Sequence, residues 1–598
     1  QERMGMVMKE EEIAHAKAIA DRERAPMYVI GEATGDMQFT FVDNKNGDKP
    51  IDLKLEYMFG KAPRTIMRDN TVPCSYKAPE YEAGRIGEYL EDVLRLEGVA
   101  CKDWLTNKVD RSITGRIAVQ QTDGQIQLPI NDYGCITLDY HGRQGIATAL
   151  GHAPAVALAS PEAGSVMAIA ESLTNIVFAP IEGGIKGVSL SANWMWPCKN
   201  PGEDARLYAA VEAASDFAIG LGINIPTGKD SLSMTQKYRD GEPVYAPGTV
   251  IITSAGQVSD ISRAVRAAAK HRKSDFVYVD FSHSSFALGG GSFAQIVGAV
   301  GSEVPTVESA DYFVKAFAAV QSLLDGKKVL AGHDVSDGGL IVTLLEMVFA
   351  SQSAGIDVDI TSLGEKDIVR ALFSERPAVV LQVENGSAVA SELKGLGVDA
   401  YVIGSFNDER RFKVKNGDDE QSFDIDALRD KWFESSYLLD RKQSGEKKAA
   451  ERYDNYKRQP LDFKFPASFT GTYAQYGIDP HRKKRSGIKA AIIREKGSNG
   501  DREMAWALHL AGMDVKDVHM TDLITGRETL EDINFIVFVG GFSNSDVLNS
   551  AKGWAGAFLY NPKAKEALDK FYARRDTLSL GVCNGCQLMI ELDLLGAG

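Results

Sequence analysis

The feature that most constrains the fold of this sequence is an internal repeat. The segment beginning at Glu2-Arg3 matches the segment beginning at Glu375-Arg376, and Tyr28-Val-Ile-Gly31 matches Tyr401-Val-Ile-Gly404. Arg3 and Arg376 are separated by the same 373 positions as Tyr28 and Tyr401. Each copy contains, in order, an apolar strand, a helical stretch, a strand ending in glycine and a further strand. This β-α-β-β order is typical of ferredoxin-like α+β units.

The two copies differ in what precedes them. A long, well-patterned sequence lies before the second copy, whereas the first copy begins at residue 1. We therefore expect the chain to be an internal piece of a longer protein with two tandem modules, the first of which lacks its front. A coincidental match of two strand–helix units is the alternative. It is disfavoured because the spacing holds without a gap across the helix.

Hydrophobic periodicity and the positions of Gly and Pro predict a multidomain protein of α/β and α+β class. Six segments follow from this pattern. They are 1–75 (the C-terminal part of a truncated first module), 76–114 (a helical connector), 115–265 and 275–435 (the N- and C-terminal domains of the second module), 436–486 (a charged linker) and 487–598 (the N-terminal part of a final α/β domain).

Composition excludes several classes of function. Of 598 residues, 44% are hydrophobic and 25% charged, so wholesale disorder is excluded. The net charge of -15 disfavours nucleic acid and anionic membranes as partners, and the basic run 481–485 is better interpreted as part of a solvated linker. No apolar run approaches the roughly 20 residues that a membrane helix needs. Six cysteines make no disulfide framework and favour a reducing compartment.

The most specific local motif is Gly581-Val-Cys-Asn-Gly-Cys-Gln587, near the end of the chain. It lies between a predicted buried strand and a predicted helix. A nucleophile at such a tight turn points outward, and glycines are needed there because side chains would clash. The N-terminus of the following helix favours a thiolate. Upstream, Val539-Gly-Gly-Phe542 ends another strand with backbone N–H groups suited to binding an oxyanion.

Other interpretations of this motif exist. Cys583 and Cys586 form a C-x-x-C pair, which could be a redox pair or half of a zinc site, and an inert buried cysteine is a third interpretation. A zinc ribbon is disfavoured because it needs a second pair. The other four cysteines are isolated in the sequence: Cys74, Cys101, Cys135 and Cys198.

The G-x-C-x-G-x-Q motif with its upstream Gly-Gly-Phe element resembles the class I, or triad, glutamine amidotransferase domains. Those domains release ammonia from glutamine through a cysteine thioester, with a His and a Glu as partners. The resemblance implies that Cys583 is the nucleophile and that the backbones of Gly541 and Asn584 bind the oxyanion. In that family the His and Glu lie well downstream, whereas no histidine follows Cys583 here. We therefore expect the 598-residue chain alone to be inactive.

Oxygen-bearing side chains recur at the ends of predicted elements in the middle of the chain. Asp132 and Asp334 each follow a predicted strand. Glu171 and Asn175 are four residues apart and share one face of the helix predicted over Pro161 to Ile176. Such oxygens suit Mg²⁺, which is often shared with nucleotide phosphates. Taken singly, each acid could equally be a helix cap or a surface charge.

Longer motifs are more specific than this spacing. Five of them together resemble the phosphoribosylformylglycinamidine synthase family, in its large single-chain form with a C-terminal glutaminase. They are Glu171 to Ile176, Lys186 to Trp194, Pro201 to Asp204, Gly228 to Ser231 and His333 to Gly339. The resemblance extends over the whole chain. It implies two tandem modules like aminoimidazole ribonucleotide synthetase, which explains the repeat, followed by a partial class I glutaminase domain.

The resemblance also implies a reaction, that of a carbon–nitrogen ligase with glutamine as amido donor. ATP phosphorylates the amide oxygen of formylglycinamide ribonucleotide, and ammonia displaces the phosphate to give formylglycinamidine ribonucleotide in cytoplasmic purine biosynthesis. We expect a monomer. A non-catalytic nucleotide-binding scaffold is the alternative. The second-module residues that the resemblance assigns are Asp132, Glu171, Asn175 and Asp334 as Mg²⁺ ligands, and Asn131 and Ser336 as contacts to ATP or, at an auxiliary structural site, ADP.

Overall fold

The computed structural model describes residues 4–60, 66–107, 109 and 111–596. Glu2 and Arg3 of the first repeat copy lie outside these ranges. The chain divides between Arg68 and Asp69 into two units. Each unit is described by itself below.

The first unit contains the first repeat copy. Its elements are α1 (Glu10–Arg22), β1 (Gln38–Phe41), β2 (Ile51–Lys54) and α2 (Leu55–Phe59). The predicted helix and last strand form, and β1 pairs with β2, but Tyr28–Gly31 is irregular and exposed. The matching strand of the second copy, Ala400–Asn407, is hydrogen-bonded on both sides. Among the described residues of the first unit no strand flanks Tyr28, and an unpaired strand leaves its backbone groups without partners.

The second unit begins with two helices and an α/β domain on a six-stranded sheet, in the order β3-β6-β7-β12-β8-β9. Helix α6 packs on this sheet and on α7, so it is buried almost all round and holds Glu171 and Asn175 at the sheet end. The elements are α3 (Ile86–Arg95), α4 (Asp103–Thr106), β3 (Ile117–Val119), β4 (Thr122–Asp123), β5 (Leu128–Pro129), β6 (Tyr133–Thr137), β7 (Gly145–Gly151), α5 (Pro154–Ala159), α6 (Pro161–Ile176), β8 (Val188–Met195), α7 (Glu203–Leu221), β9 (Asn224–Ser231), β10 (Thr235–Gln236), β11 (Val244–Tyr245) and β12 (Thr249–Val258).

An α+β domain with the second repeat copy follows, on a seven-stranded mixed sheet in the order β14-β16-β13-β17-β15-β18-β19. The edge strand β14 continues through His333 and Asp334, which the sequence pattern placed in a loop. The elements are β13 (Asp275–Asp280), α8 (Ser292–Ile296), α9 (Ala310–Asp325), β14 (Val329–Val335), α10 (Gly339–Phe349), β15 (Gly355–Asp359), α11 (Ile368–Phe373), β16 (Ala378–Val383), α12 (Gly386–Gly395), β17 (Ala400–Asn407), β18 (Arg411–Asn416) and β19 (Asp419–Asp424).

The prediction of a linker over 436–486 was wrong in its first part, because the structure forms helices there. Helices α13 (Ile425–Ser444) and α14 (Glu446–Asn455) pack together, and α13 packs on α3 and α4 of the predicted connector. Trp432 is buried and its indole N–H donates to the carbonyl of Val99 at 2.9 Å. Arg452 donates twice to buried Asp103, at 2.6 and 3.1 Å. The sequence did not predict these helices because their composition is charged and their apolar stripe is narrow. Residues 459–488 are irregular and largely exposed.

The last domain is a four-stranded parallel sheet in the order β22-β20-β23-β25 with helices around it. The predicted α/β and α+β architecture is thus confirmed. None of the helices in the described ranges combines the length and hydropathy needed to span a bilayer. The elements are β20 (Lys489–Arg494), β21 (Ser498–Asn499), α15 (Asp501–Leu510), β22 (Asp514–His519), α16 (Met520–Thr525), β23 (Phe535–Phe538), β24 (Gly540–Gly541), α17 (Lys552–Leu559), α18 (Pro562–Tyr572), β25 (Leu578–Gly581) and α19 (Asn584–Glu591).

Candidate functional site

Cys583 occupies a strained turn between β25 and α19. Its backbone has φ 51° and ψ −110°, a conformation that L-residues rarely adopt and that costs about 1–3 kcal/mol. Flanking glycines make the turn possible. A Cβ at Gly585 would lie 2.0 Å from the carbonyl oxygen of Phe538, and one at Gly581 would lie 2.7 Å from that of Gly585. The thiol side chain is exposed at the carboxyl edge of the sheet, as a nucleophile must be.

The predicted oxyanion groups surround this cysteine. A Cβ built on Gly540 would lie 3.3 Å from the Cβ of Cys583, so the glycine pair of β24 faces the cysteine, and Gly541 has φ +114°. Asn584 opens α19, and amide groups in the first turn of a helix have no intrahelical acceptor. The buried Asn584 side chain accepts from the backbone N–H of Ser543 at 3.2 Å. The structure therefore places Gly540, the neighbour of Gly541, and Asn584 directly beside Cys583.

Cys586 lies one helical turn after Cys583 and is also exposed. All six cysteines are free. Within the described ranges, the clusters of side chains close enough to share a metal ion contain His and Asp but no cysteine. A zinc site at this C-x-x-C pair therefore has no support from the structure.

A second cluster, which we call the acidic cluster, joins the two domains of the module. Its members are Asp132, His333 and Asp334, whose ligand atoms all lie within 4.8 Å of one another. His333 Nδ1 is 2.5 Å from an oxygen of Asp132, and His333 Nε2 is 2.9 Å from an oxygen of Glu346 on α10. All three side chains of the acidic cluster are nearly inaccessible to solvent. His333 thus bridges two acids and fixes the orientation of Asp132.

Burial and crowding shift the titration of this cluster. Burial is the main cause that raises the pKa of Asp334, and the carboxylate of Asp132 adds to it. Burial also raises the pKa of Asp132, against the opposing charge of His333. Burial alone would lower the pKa of His333, but Asp132 and Glu346 outweigh it and raise the pKa well above its usual value. Burial and mutual repulsion therefore disfavour the charged forms of Asp132 and Asp334.

The acidic cluster fits a hard cation. One carboxylate oxygen of Asp334 is buried and has no hydrogen-bond partner among the described residues. An unsatisfied buried carboxylate oxygen is costly unless a cation or donor pairs with it. Oxygen ligands are those that Mg²⁺ prefers. The donor set here therefore agrees with the predicted Mg²⁺ ligands Asp132 and Asp334.

Glu171 and Asn175 project from α6 at the end of β7 but stand outside the acidic cluster. Glu171 accepts from the backbone N–H of His152 at 2.6 Å, and Asn175 donates to the carbonyl of Leu150 at 2.9 Å. Burial raises the pKa of Glu171 well above its usual value, and the carboxylates of Asp337 and Asp334 add to the shift. Glu171 is therefore close enough to feel the charge of Asp334.

An open cleft of about 190 Å³ lies beside these groups. Its lining includes Glu171, Ser336, Asp337 and Glu375. Ser336 therefore borders this cleft. Asn131 does not line the cleft: its amide donates to the carbonyl of Gln120 at 2.7 Å and accepts from the N–H of Ala267 at 3.0 Å. Both ends of that amide are engaged with backbone, so the geometry gives it a structural role.

Several residues of the site were not predicted. His333 and Asp337 lie in the His333 to Gly339 motif, which contained the signal. Glu346 is on the buried helix α10 and only the tertiary structure brings it to His333. Glu375 accepts from the N–H groups of Ser292 and Gly338 at 2.8 and 2.7 Å, and thereby holds the start of α10. Burial, with the charge of Asp337, raises the pKa of Glu375 to about 8.

A strained cysteine turn on a parallel sheet, beside a two-domain module with an acidic cleft, defines a glutamine amidotransferase domain joined to a synthetase-type module. Family models agree with this class. The CobB/CobQ-like glutamine amidotransferase domain matches residues 487–598, the FGAR-AT PurM_N-like domain 101–257, and the C-terminal domain of AIR synthase related protein 283–416.

Curated relatives specify the family. The chain is 37% identical over 99% of its length to the probable phosphoribosylformylglycinamidine synthase, chloroplastic/mitochondrial, of Arabidopsis thaliana. It is 38% identical over 97% of its length to phosphoribosylformylglycinamidine synthase of Homo sapiens. The chain is thus homologous to the phosphoribosylformylglycinamidine synthases, which confirms the predicted resemblance. It spans 43% and 44% of the length of these relatives. The solved structure of T. maritima PurL complexed with FGAR aligns with 13% identity and a TM-score of 0.44, covering 57% of this chain and 53% of that chain.

Proposed function

We propose that this chain supplies the glutaminase nucleophile and the second synthetase module of a phosphoribosylformylglycinamidine synthase. The reaction converts formylglycinamide ribonucleotide to formylglycinamidine ribonucleotide with ATP and glutamine, in purine biosynthesis. The single observation that carries this proposal is the strained, glycine-flanked turn at Cys583. The homology over nearly the whole chain supports it.

The geometry of this turn suits attack on an amide carbon. The Cys583 sulfur attacks the side-chain carbonyl of glutamine, and the negative charge that develops on the oxygen is stabilised by the N–H groups of Gly541 and Asn584. The C–N bond then breaks, ammonia leaves, and water hydrolyses the thioester to glutamate. The partner His and Glu of the triad belong to the longer relatives in this proposal.

The cleft of the second module is proposed to bind ATP or ADP with Mg²⁺. Asp132 and Asp334 would hold the metal, with Glu171 and Asn175 at the adjacent helix face and Ser336 toward the nucleotide. When bound, Mg²⁺ neutralises charge on the phosphates. His333 holds Asp132 in place through its 2.5 Å contact. The 2.7 Å hydrogen bond from Gly338 to Glu375 fixes the loop that carries Ser336 and Asp337.

A second candidate function for the module alone is a non-catalytic nucleotide-binding scaffold. The observation that favours it is the position of His333. Both of its nitrogens are engaged, with Asp132 and Glu346, so this histidine is not free to transfer a proton to a ligand in the cleft. Such an arrangement suits an auxiliary structural nucleotide site, with ATP chemistry performed elsewhere in the longer protein.

Covalent labelling tests the glutaminase assignment. Incubation of the 598-residue chain with a diazoketone analogue of glutamine is expected to add one label at Cys583, as measured by intact mass and peptide mapping. C583S should show no adduct, and excess glutamine should slow labelling of the wild type. C586S is the matched control, because it removes the neighbouring exposed thiol, and it should label like the wild type. Labelling of C583S equal to that of the wild type, or loss of the label in C586S, would contradict the proposal.

Calorimetric titration with ADP and Mg²⁺ tests the nucleotide site. Asp334→Asn removes the charge of the unpartnered carboxylate while keeping its shape. It is expected to weaken Mg²⁺-dependent ADP binding by at least about tenfold, because metal affinity depends on such ligands. Asp311→Asn, on the exposed surface of α9, removes the same charge away from the cleft and should leave affinity unchanged. Unchanged binding by the Asp334 variant would remove the metal assignment.

We also propose a cytoplasmic location and a monomeric intact protein, without nucleic acid or membrane partners. Six free cysteines suit a reducing compartment, and the net charge of -15 opposes polyanion binding. The Arabidopsis relative is named as chloroplastic/mitochondrial, so location must be measured for this protein itself. Fluorescence imaging and sedimentation of the full-length protein would decide both points.

A further inference from the structure

A second cavity, which we call the basic pocket, lies at the start of β14, whereas the acidic cleft lies at the end of that strand. Its volume is about 200 Å³, and it is bounded by the segment 262–270, by the end of α9 and by the start of β14. β14 is the edge strand of the seven-stranded sheet, so no further strand covers this side. Four cationic side chains line the pocket: Arg263, Arg266, Lys270 and Lys327.

Two of the four cations have carboxylate partners. Arg263 pairs with Asp325 at 2.8 Å and with Asp260 at 3.5 Å, which neutralises its charge. Arg266 lies 3.3 Å from one oxygen of Asp123, whose other oxygen already accepts from the N–H of Ala268 at 3.1 Å. The guanidinium of Arg266 is half exposed, so several of its N–H donors remain available.

Lys270 and Lys327 differ from these two arginines. Within the described ranges, no acceptor lies within hydrogen-bond distance of the Nζ atoms of Lys270 and Lys327. Lys270 is partly buried, and burial is the main cause that lowers its pKa; Asp123 opposes the shift and Arg266 adds to it. The pocket therefore concentrates uncompensated positive charge in a concave space of a protein whose net charge is -15.

We propose that the basic pocket binds a phosphate-type oxyanion, either inorganic phosphate or the phosphate group of a nucleotide. A tetrahedral oxyanion can accept from a guanidinium and two ammonium groups at once, and such charge-assisted hydrogen bonds are the strong ones. The pocket lies where the segment after β12 passes the edge of the other sheet. A bound anion would tie this segment to α9 and β14 and stabilise the junction of the two domains.

This proposal does not depend on the proposed function. The basic pocket shares no lining residue with the acidic cleft, and its charge has the opposite sign. Loss of anion binding here would leave the Mg²⁺-nucleotide result at Asp334 unchanged, and the reverse also holds. The two hypotheses can therefore fail separately.

Titration with inorganic phosphate at constant ionic strength tests the pocket, with calorimetry and thermal unfolding as readouts. The wild-type chain should bind saturably and unfold at a higher temperature with phosphate. K270Q/K327Q should bind at least about tenfold more weakly, because each lost charged hydrogen bond is worth about that factor. Neither lysine has a hydrogen-bond or ion-pair partner among the residues that the structure describes, so folding should be intact. K315Q/K237Q, which removes two exposed charges elsewhere, should match the wild type.

The source of the anion follows from a parallel titration with ADP in the presence of a chelator. If ADP binding shows the same dependence on Lys270 and Lys327, the ligand is a nucleotide phosphate; if only phosphate does, the ligand is free phosphate. Absence of saturable binding by the wild type would overturn the proposal. Equal affinity of the two double variants, or an equal effect of chloride, would also overturn it.

Discussion

Replacement of Gly585 by alanine is expected to disrupt the turn at Cys583 and to destabilise the last domain by at least about 3 kcal/mol. The new Cβ would lie 2.0 Å from the carbonyl oxygen and 2.5 Å from the carbonyl carbon of Phe538. These are backbone atoms of β23, which lies between β20 and β25 and cannot move without breaking both pairings. The steric clash must therefore be relieved by a shift of α19, whose first residue is Asn584.

The measurement is hydrogen exchange of the amides of β23 and α19, because a multidomain chain does not give a single two-state transition. G585A should lose protection there and should also lose labelling of Cys583 by the glutamine analogue. Gly556→Ala is the matched control. A Cβ at Gly556 meets only the ring of Tyr560 at 3.6 Å, an ordinary contact within helix α17, so this change should be neutral or slightly stabilising. Equal protection in the two variants would show that the turn tolerates a side chain.

Glu375→Gln is expected to make the second module more stable than wild type at pH 8. The difference in stability between the variant and the wild type should increase from pH 5 to pH 8. The pKa of Glu375 is raised from 4.5 to about 8, so the folded state holds a proton that the unfolded state releases. The contribution of Glu375 to folding stability is fully present below its pKa in the unfolded state. It is lost as the pH rises through its pKa in the folded state. At about 1.4 kcal/mol per unit, the relative loss by wild type between pH 5 and pH 8 is about 4 kcal/mol. Glutamine keeps the oxygen that accepts from Ser292 and Gly338.

Hydrogen exchange of α10 and β16, compared at several pH values in chelator-containing buffer, measures this effect. Glu308→Gln is the control, because it removes the same charge from an exposed position and should not reproduce the gain expected of E375Q at pH 8. If the wild type and E375Q showed the same dependence of protection on pH, Glu375 would be ionised in the folded state. Its two backbone donors would then outweigh burial.

The elements with strong periodicity were predictable. The sequence placed α6 at Pro161–Ile176 as found, because Ser160 and Pro161 are strong start signals and the side chain of Ser160 caps Ala163. It also placed the cysteine turn, since the glycines around Cys583 are required by local sterics. The helices after residue 436 were not predicted, because a charged surface with a narrow apolar stripe is similar in composition to a linker.

The acidic cluster shows which features of a site can be predicted from a motif and which depend on the tertiary structure. The motif from His333 to Gly339 pointed to Asp334 and Ser336, but not to the contacts of His333 with Asp132 and Glu346, which are 201 and 13 residues away. Likewise, Asn131 resembled a ligand contact in sequence, and the structure turns its amide to the backbone. Roles of this kind depend on which side chains meet across domains, and spacing along the chain carries no such information.

The sequence by itself determined the repeat, the class of each domain, the family and the cysteine turn, because these follow from local periodicity, local sterics and motif identity. The tertiary structure alone decided which strands of the repeat form, since a strand needs neighbours for its backbone groups. It also decided that the connector and the start of the linker pack as one layer through Asp103 and Arg452, and where uncompensated charge gathers. Burial and long-range contact set those outcomes, and neither is a property of a short segment.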